Sequence, residues 1–469
     1  MGALFRVGES KIRPGVYRRY EKVGTSGTPG AIYGVFAIPV HANFGPLNTV
    51  SAFGSDQIED LKAMYGTGGT VDAALALFEG GATTVYIYRL GAEGSVATVD
   101  VKTGTTGAIA TLKTKYPTAD KFNITIKDRL DDATQRQLSV YRDTTILETI
   151  NFAKSENEGE ALVTAVNENS KYLVATAGTG TGAADTMTNV ALTGGAEPTV
   201  TTESYSAAFE AFETVTWNVL VLDTCDVAVH ALAHAYIKRI FEAGALGICI
   251  LGEPTTVDFE TRLAHATAFN DEKIVYLGSG YEDAEGNKID GYLAIAKQAG
   301  IIGSMASNVS ATHTVIPGAV KPLEALKNSQ YERAITGGML LLSANSAGQL
   351  WFDAGINTLV TLGTDQDAGW QKIRRTATRF EVFDRIDRAV APVIGKVNCD
   401  DIGIGDVIML GKGVLDAMVK EGKFLAGATF VEDPDFRRGP DYGFFVIDAV
   451  DIDSLEKIYL RYRFRFSAE

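Results

Sequence analysis

Cysteine is scarce in this chain of 469 residues, which contains only Cys225, Cys249 and Cys399. Their spacing fits no metal-binding knuckle, and their odd number argues against a disulfide framework. Cys249 lies inside an apolar stretch, residues 246–251, and is expected to be a buried thiol. A chain so poor in cysteine is expected to be made in a reducing cytoplasm.

Long hydrophobic runs are also missing. No stretch approaches the roughly 20 apolar residues that span a bilayer, and residues 1–10 lack the apolar core of a signal peptide. Positive charge is in deficit, with 43 Lys and Arg against 58 Asp and Glu and a formal net charge of -15. Because such a chain repels nucleic acid and anionic membranes, we expect neither as a partner of the subunit itself.

The length exceeds that of a single ordinary core and indicates two to four packed units. We expect a fold of α/β class combined with β and α+β parts. Five segments are predicted: an N-terminal arm and linker (1–30), the first part of a central α/β domain (31–90), an inserted mostly-β domain (91–198), the second part of the central domain (199–350), and a C-terminal α+β domain with a terminal strand arm (351–469).

Apolar, β-branched runs alternate with amphipathic helices through much of the chain. The predicted strands of the central domain are 32–40, 83–90, 217–222, 246–251 and 273–277, and its main predicted helices are 55–65, 71–79, 205–212, 227–243, 259–269 and 291–299. Continuous apolar strands of this kind indicate a mainly parallel sheet that is covered on both faces. Beyond residue 351 the pattern predicts two long helices, 370–393 and 406–422, followed by a strand pair, 444–452 and 458–466.

The last of these strands is the sharpest local signal. One face carries Ile458, Leu460, Tyr462, Phe464 and Phe466, and the other carries Tyr459, Arg461, Arg463 and Arg465. An edge with such an apolar face invites pairing. The strand either closes the sheet of its own domain or is exchanged with a neighbouring subunit.

Two short patterns are candidates for a catalytic site or a metal site. Residues 303–307 resemble the nucleophile segment of subtilisin-like proteases, but Ser304 lacks the usual preceding Thr, and no His-Gly motif exists to supply a base. His230 and His234 have helical zinc spacing, but Ala231 stands where a metalloprotease carries its Glu. We therefore expect no catalytic residue, no metal and no cofactor.

Basic residues cluster near the start of the first long C-terminal helix, at Lys372, Arg374, Arg375 and Arg379. Such a cluster can bind an anion. On an acidic chain it is expected instead to pair with neighbouring carboxylates.

Several segments, in order, resemble the contractile tail sheath family of phages and phage-tail-like bacteriocins. They are the arm Arg13-Pro14-Gly15-Val16-Tyr17, the turn Leu192-Thr193-Gly194-Gly195, the α/β block 205–299, and the motif Gly355-Ile356-Asn357. The likeness spans nearly the whole chain. Residues 304–319 depart from the family pattern, since they lack its typical Arg and Asp.

The resemblance implies a structural protein with a central domain of subtilisin-like shape, rather than an enzyme. Family members stack as hexameric rings around an inner tail tube, between baseplate and tail terminator proteins, and contract to drive the tube through a target envelope. It implies inter-subunit arms at Pro14, Gly15, Val16 and Tyr17 and at Ile458, Leu460, Arg461, Tyr462, Arg463, Phe464, Arg465 and Phe466. The location would be the tail of a particle made in a bacterial cytoplasm.

The same resemblance places the tube against the C-terminal domain. Lys412, Lys420 and Lys423, on or near the second long helix, are the candidates for facing an acidic tube. Two alternatives stay open: a hydrolase or peptidase-like protein acting through Ser304, and another self-assembling capsid or surface-layer protein.

Overall fold

The computed structural model describes residues 3–4, 17–18, 33–104 and 107–464. These residues divide into two compact units: the larger contains residues 33–380 and 453–464, and the smaller contains residues 381–452 with the N-terminal strand pair. That pair is parallel and joins β1 (Ala3–Leu4) to β2 (Tyr17–Arg18). The expected arm residues Pro14, Gly15 and Val16, and the linker 24–30, lie outside the described residues.

The larger unit is built on a seven-stranded sheet. Its first elements are β3 (Val35–Val40), β4 (Val50–Gly54), α1 (Ile58–Tyr65), α2 (Val71–Glu79) and β5 (Thr84–Arg89). Strands β3 and β5 are parallel, whereas β4 runs antiparallel to β5 at one edge of the sheet. The edge strand β4 was not predicted, because residues 50–54 are only partly buried and carry no continuous apolar run.

Residues 92–199 leave this sheet and return to it. The elements are β6 (Thr98–Lys102), β7 (Ala108–Thr114), β8 (Phe122–Asp128), β9 (Gln135–Arg142), β10 (Thr145–Ala153), α3 (Glu158–Asn169), β11 (Leu173–Ala177) and β12 (Met187–Ala191). They form two antiparallel sheets of order β10-β9-β8-β12 and β11-β7-β6 around a shared apolar core. Antiparallel bridges Ala92–Thr199 and Thr98–Thr193 join the two connecting segments.

The rest of the larger unit returns to strand-helix alternation. Its elements are α4 (Thr202–Phe212), β13 (Val219–Val221), α5 (Val227–Glu242), β14 (Ile248–Gly252), α6 (Phe259–Phe269), β15 (Ile274–Leu277), β16 (Tyr281–Asp283), β17 (Lys288–Ile289), α7 (Gly291–Ser304), β18 (Ala319–Pro322), α8 (Asn328–Thr336), β19 (Met339–Leu340), β20 (Leu342–Ala344) and β21 (Leu350–Phe352). The main sheet has the order β19-β15-β14-β13-β3-β5-β4, and its strands are parallel except for β4.

Both faces of this sheet are buried, as the apolar runs predict. Successive residues of β3 alternate between two cores: Phe36 and Ile38 belong to one, and Val35 and Ala37 to the other. Helices α2 and α7 supply residues to the first core, and α4, α5 and α6 to the second. The mixed α/β class with several sheets is therefore confirmed, whereas the predicted domain boundaries stay predictions.

The smaller unit contains the second part of α9 (Ile373–Val390), the helix α10 (Asp401–Lys420), and the strands β22 (Thr429–Glu432) and β23 (Phe445–Asp448). The two strands form an antiparallel hairpin, which we call the β22-β23 hairpin. Its core includes Leu415 and Met418 of α10 and Phe430 of β22. Among the described helices, none has the length and hydropathy needed to cross a bilayer.

Candidate functional site

The C-terminal segment, residues 453–464, has no helix or strand. The expected pairing of residues 458–466 with residues 444–452 is therefore wrong over the described part, because β23 pairs with β22. Arg465 and Phe466 lie outside the described residues. The correction has a physical reason: alternation separates two faces of a strand, but it does not specify which strand supplies the hydrogen bonds.

The apolar face of this segment is open to solvent. Ile458 is 68% exposed and Phe464 is 86% exposed, and Leu460 and Tyr462 lie between these values. Arg461 and Arg463 are exposed as well. A contiguous set of exposed large apolar side chains is unusual in a monomeric protein and is typical of an interaction surface.

The root of the segment is held in place by charge. The Lys372 ammonium lies 2.6 Å from Asp453 and 3.0 Å from Glu456, and Arg374 lies 3.5 Å from Asp453. Glu456 also accepts hydrogen bonds from the hydroxyls of Ser310, at 3.0 Å, and Thr312, at 3.1 Å. The segment is thus fixed through Asp453 and Glu456, ahead of the alternating residues 458–464.

These contacts alter the acidity of both carboxyls. Partial burial acts to raise the pKa of Asp453 and of Glu456, but the hydrogen bonds and charge of Lys372 outweigh it and hold each pKa below its ordinary value. The pKa of Lys372 is raised: burial opposes the shift, and the two carboxylates produce it. All three groups are therefore charged at neutral pH.

The other cations of the cluster also find carboxylates. Arg375 lies 3.0 Å from Asp367, and Arg379 is paired with Glu272. The Arg379 guanidinium also covers the ring of Trp370, 3.9 Å from its centroid. The expectation that this cluster pairs with neighbouring carboxylates is confirmed.

A second surface suited to pairing is the β22-β23 hairpin of the smaller unit. Within the described residues it is a two-stranded sheet, so each strand has an unpaired edge. Exposed apolar side chains lie on or beside both strands, at Val431, Phe444, Val446, Ile447 and Val450. Such an edge can take up a further strand.

The three lysines expected to face a tube do not share one surface. Lys412 and Lys420 are exposed on α10. Lys423 is only 4% exposed and is paired with Glu381 and with Glu421, 2.7 Å away. The assignment of Lys423 is therefore wrong: α10 ends at Lys420, and Gly422 (φ 73°) turns the chain back, which carries Lys423 inward.

Ser304, the residue considered as a nucleophile, has neither a base nor an acid bonded to it in the described part of the chain. Ser304 ends α7, and its buried hydroxyl has no hydrogen-bond partner among the described residues. The Asp223 carboxylate accepts hydrogen bonds from the hydroxyls of Tyr205, at 2.9 Å, and Thr70, at 2.5 Å, and from the backbone N–H of His41, at 3.1 Å. These three hydrogen bonds make Asp223 a structural hydrogen-bond centre. Burial raises the pKa of its carboxyl.

The two histidines contact polar groups of their own chain. His230 contacts the Thr224 carbonyl at 3.3 Å, and His234 contacts Asp271 at 3.1 Å. In the described ranges no group of three or more His, Cys, Asp or Glu side chains is arranged to hold a metal. Cys249 is buried as expected, and burial raises its pKa.

A buried hydrogen-bonding residue lies in the motif Gly355-Ile356-Asn357. Asn357 is buried and joins residues 357–359 to the segment before α9: its amide donates to the Trp370 carbonyl at 2.8 Å, and its carbonyl accepts from the Leu359 N–H at 3.0 Å. Its backbone N–H also donates to Gln371, at 3.0 Å. The signal in the sequence was the polar residue of Gly355-Ile356-Asn357. The contacts of Asn357 with residues 370 and 371 could not be predicted, because those residues are distant along the chain.

Comparison with known proteins now identifies the scaffold. Residues 199–358 match the sequence profile described as the phage tail sheath protein central domain. This part of the chain is therefore similar to the central domain of tail sheath proteins. The resemblance inferred from the ordered motifs is thereby confirmed, and Gly355-Ile356-Asn357 falls inside the matched range.

Solved structures of sheath proteins share the fold beyond this domain. The structure is similar to the sheath tail protein Lin1278 from Listeria innocua, with a TM-score of 0.69 and 18% identity over 90% of this chain and 96% of that one. It is also similar to the helical sheath of the anti-feeding prophage in the contracted state, with a TM-score of 0.55 and 11% identity over 97% and 99% of the chains. A Bacillus subtilis (strain 168) protein, the uncharacterized YqbK, is 24% identical over 381 residues, 79% of this chain and 78% of that protein.

Proposed function

We propose that this chain is the sheath subunit of a contractile tail or injection machine. It polymerises as a helical stack of hexameric rings around an inner tube, and contraction drives the tube through a target envelope. The observation that carries the proposal is the exposed, alternating segment 458–464 on an anchored root, in a chain with the sheath fold. Its role is mechanical rather than catalytic.

Strand exchange supplies the link between subunits. Burying a large apolar side chain contributes roughly 1.5–3 kcal/mol, and segment 458–464 offers Ile458, Leu460, Tyr462 and Phe464 together. Main-chain hydrogen bonds add to this when a strand joins an unpaired sheet edge. The β22-β23 hairpin of a neighbouring copy has such edges. A head-to-tail contact that does not close on itself produces a helical polymer.

The N-terminal arm is assigned the same kind of role. Pro14, Gly15, Val16 and Tyr17 would pair with a neighbour, and the Gly-rich linker 24–30 would let the subunit body move while the arm stays bound. Arg461 and Arg463, with Arg465 and Phe466 beyond them, belong to the C-terminal arm.

The remaining partners follow from the position of a sheath. The exposed Lys412 and Lys420 on α10 would face an acidic inner tube, and baseplate and terminator proteins would bound the stack. We assign the larger unit a subtilisin-like shape; its parallel sheet with helices on both faces supports this. The location is the tail of a phage or phage-tail-like particle, after synthesis in a bacterial cytoplasm.

Negative-stain electron microscopy of the purified chain tests the proposal. The intact chain is expected to form hollow tubes at high concentration, and a chain that ends at Lys457 is expected to stay unassembled. The double substitution Leu460→Asp and Tyr462→Asp should act like the truncation, because it places charge on the apolar face without shortening the arm.

The matched control is Val227→Asp, which alters an exposed apolar residue at the start of α5. It should leave tube formation intact. Closed shells or flat lattices from the intact chain would contradict a sheath and favour a capsid or surface-layer protein. Tubes from the truncated chain would show that segment 458–464 is not the link.

A further inference from the structure

The register of the β22-β23 hairpin places its residues on two faces. Phe430 is opposite Ile447, and Val431 is opposite Val446, with Thr429 opposite Asp448. Residues opposite each other in an antiparallel pair share a face, and neighbours along a strand alternate. One face therefore carries Phe430 and Ile447, and the other face carries Asp448.

The first of these faces is covered by α10, but unevenly. Phe430 is only 5% exposed and packs so tightly on Gly411 that a Cβ there would lie 2.6 Å from the ring. Ile447, on the same face one strand further out, is 36% exposed. The apolar face of the hairpin thus remains partly exposed on the β23 side, and a strand added to that edge would bury it.

The exposed segment 458–464 has the pattern that such a strand needs. If Leu460 and Tyr462 continue the apolar face of Ile447, the two-residue period of a strand places Arg461 and Arg463 on the opposite face. That is the face of Asp448, which is exposed and makes no ion pair within the described part of the chain. Directly opposed residues on adjacent strands lie about 5 Å apart, within reach of an ion pair.

We propose that Asp448 of one copy is the counter-charge for Arg461 and Arg463 of a second copy, and that this pairing sets the register of the exchanged strand along β23. The inference rests on the proposed function and names the residues through which two subunits recognise each other. A slip of one residue would bury the arginines against α10, and a longer slip would carry them past Asp448.

Charge reversal with rescue tests this pairing. Asp448→Lys is expected to raise the concentration needed for tube formation by about tenfold, because it places a lysine opposite Arg461 and Arg463 on the adjacent strand. The double substitution Arg461→Asp and Arg463→Asp should do the same. The triple variant, with all three charges exchanged, should recover assembly to within about threefold of the intact chain. Asp441→Lys, in the loop between β22 and β23, is the matched control and should assemble normally.

The results separate the pairing from the proposed function. If both reversals assemble like the control while Leu460→Asp with Tyr462→Asp abolishes tubes, strand exchange stands and the Asp448 pairing is overturned. If the intact chain forms no tubes, both fall. Since Arg461 and Arg463 are exposed in a segment without regular structure, their variants test the pairing even if Asp448→Lys folds poorly. Failure of the triple variant to recover would also overturn it.

Discussion

Lys372 binds Asp453 across 2.6 Å and ties the start of α9 to the root of the C-terminal segment. Glu456 joins the same ammonium from 3.0 Å away. Only two residues later the alternating apolar and basic stretch begins, at Ile458. The segment therefore has a fixed root and a free end, which suits an arm that must reach a neighbour from a defined point.

Replacing Lys372 by Met should loosen this root. The Asp453 and Glu456 carboxylates would lose a charged hydrogen-bond donor, a loss of about 1.5–3 kcal/mol for such a bond. Cleavage after Glu456 by a Glu-specific protease should become several-fold faster, measured by mass spectrometry at neutral pH. Lys321→Met, which removes a more exposed ion pair with Glu282, is the control and should not change that rate. An unchanged rate in Lys372→Met would mean that other contacts hold the root.

A buried charge network in the smaller unit gives a second prediction. Glu381 is paired with both Arg385 and Lys423, and all three side chains are almost fully buried. Glu381→Gln removes the negative charge and leaves two buried cations with less compensation, so it should reduce the free energy of unfolding by about 3 kcal/mol. Urea denaturation of the purified subunit measures this.

The control for Glu381 lies on the same helix. Asp384→Asn weakens an ion pair with Arg388, whose side chains are about one third exposed, and should cost less than about 1 kcal/mol. Equal effects of the two substitutions would contradict the view that burial makes the Glu381 network important.

Lys423 was predicted to be exposed but is buried in an ion pair, and the sequence alone could not have shown this. The resemblance to the sheath family grouped it with Lys412 and Lys420 along the second long helix, but its partner Glu381 precedes it by 42 residues, so no local pattern indicates their contact. By contrast, the apolar runs 32–40 and 246–251 located β3 and β14 correctly, because strands buried on both faces need apolar residues at every position. Edge strands such as β4 lack that requirement and were missed.

The terminal segment shows the same division. Its alternation was visible in the sequence, and the exposure of Ile458 and Phe464 agrees with an arm that awaits a partner. The predicted pairing with residues 444–452 was wrong, since strand pairing is decided by residues distant in sequence. The anchor formed by Lys372 was foreseen only as a tendency of the basic cluster to pair.

Acid stability should depend on Asp271. Burial acts to raise the pKa of this carboxyl, but hydrogen bonds from His234 and Lys273 lower it from 3.8 to about 2. A pKa lowered by folding contributes stability that is fully present above the ordinary value and is lost as the pH falls through the folded value. The contribution is on the order of 2 kcal/mol at pH 7 and should disappear between about pH 4 and pH 2.

Asp271→Asn should remove this contribution and flatten the pH dependence of the free energy of unfolding in that interval. Denaturation with urea at a series of pH values provides the measurement. Asp365→Asn, at an exposed loop position, should leave the curve unchanged. If Asp271→Asn kept the slope of the intact chain between pH 4 and pH 2, the lowered pKa would have to belong to another carboxyl.

Two helical glycines should respond to alanine in opposite directions. Gly300 in α7 touches α2 and its C-terminal end closely: an added Cβ would lie 2.5 Å from the Leu77 carbonyl oxygen and 2.9 Å from the Cα of Gly80. Because backbone cannot yield as a flexible side chain can, Gly300→Ala should destabilise the larger unit by about 1–3 kcal/mol.

Gly413 in α10 is exposed and has nothing within 4 Å of an added Cβ. Gly413→Ala should therefore stabilise the smaller unit by about 0.5–1 kcal/mol, through the higher helix propensity of alanine. Calorimetry of the two variants beside the intact chain decides the point, and a loss of stability in Gly413→Ala would indicate that this face of α10 is already packed against something in the subunit.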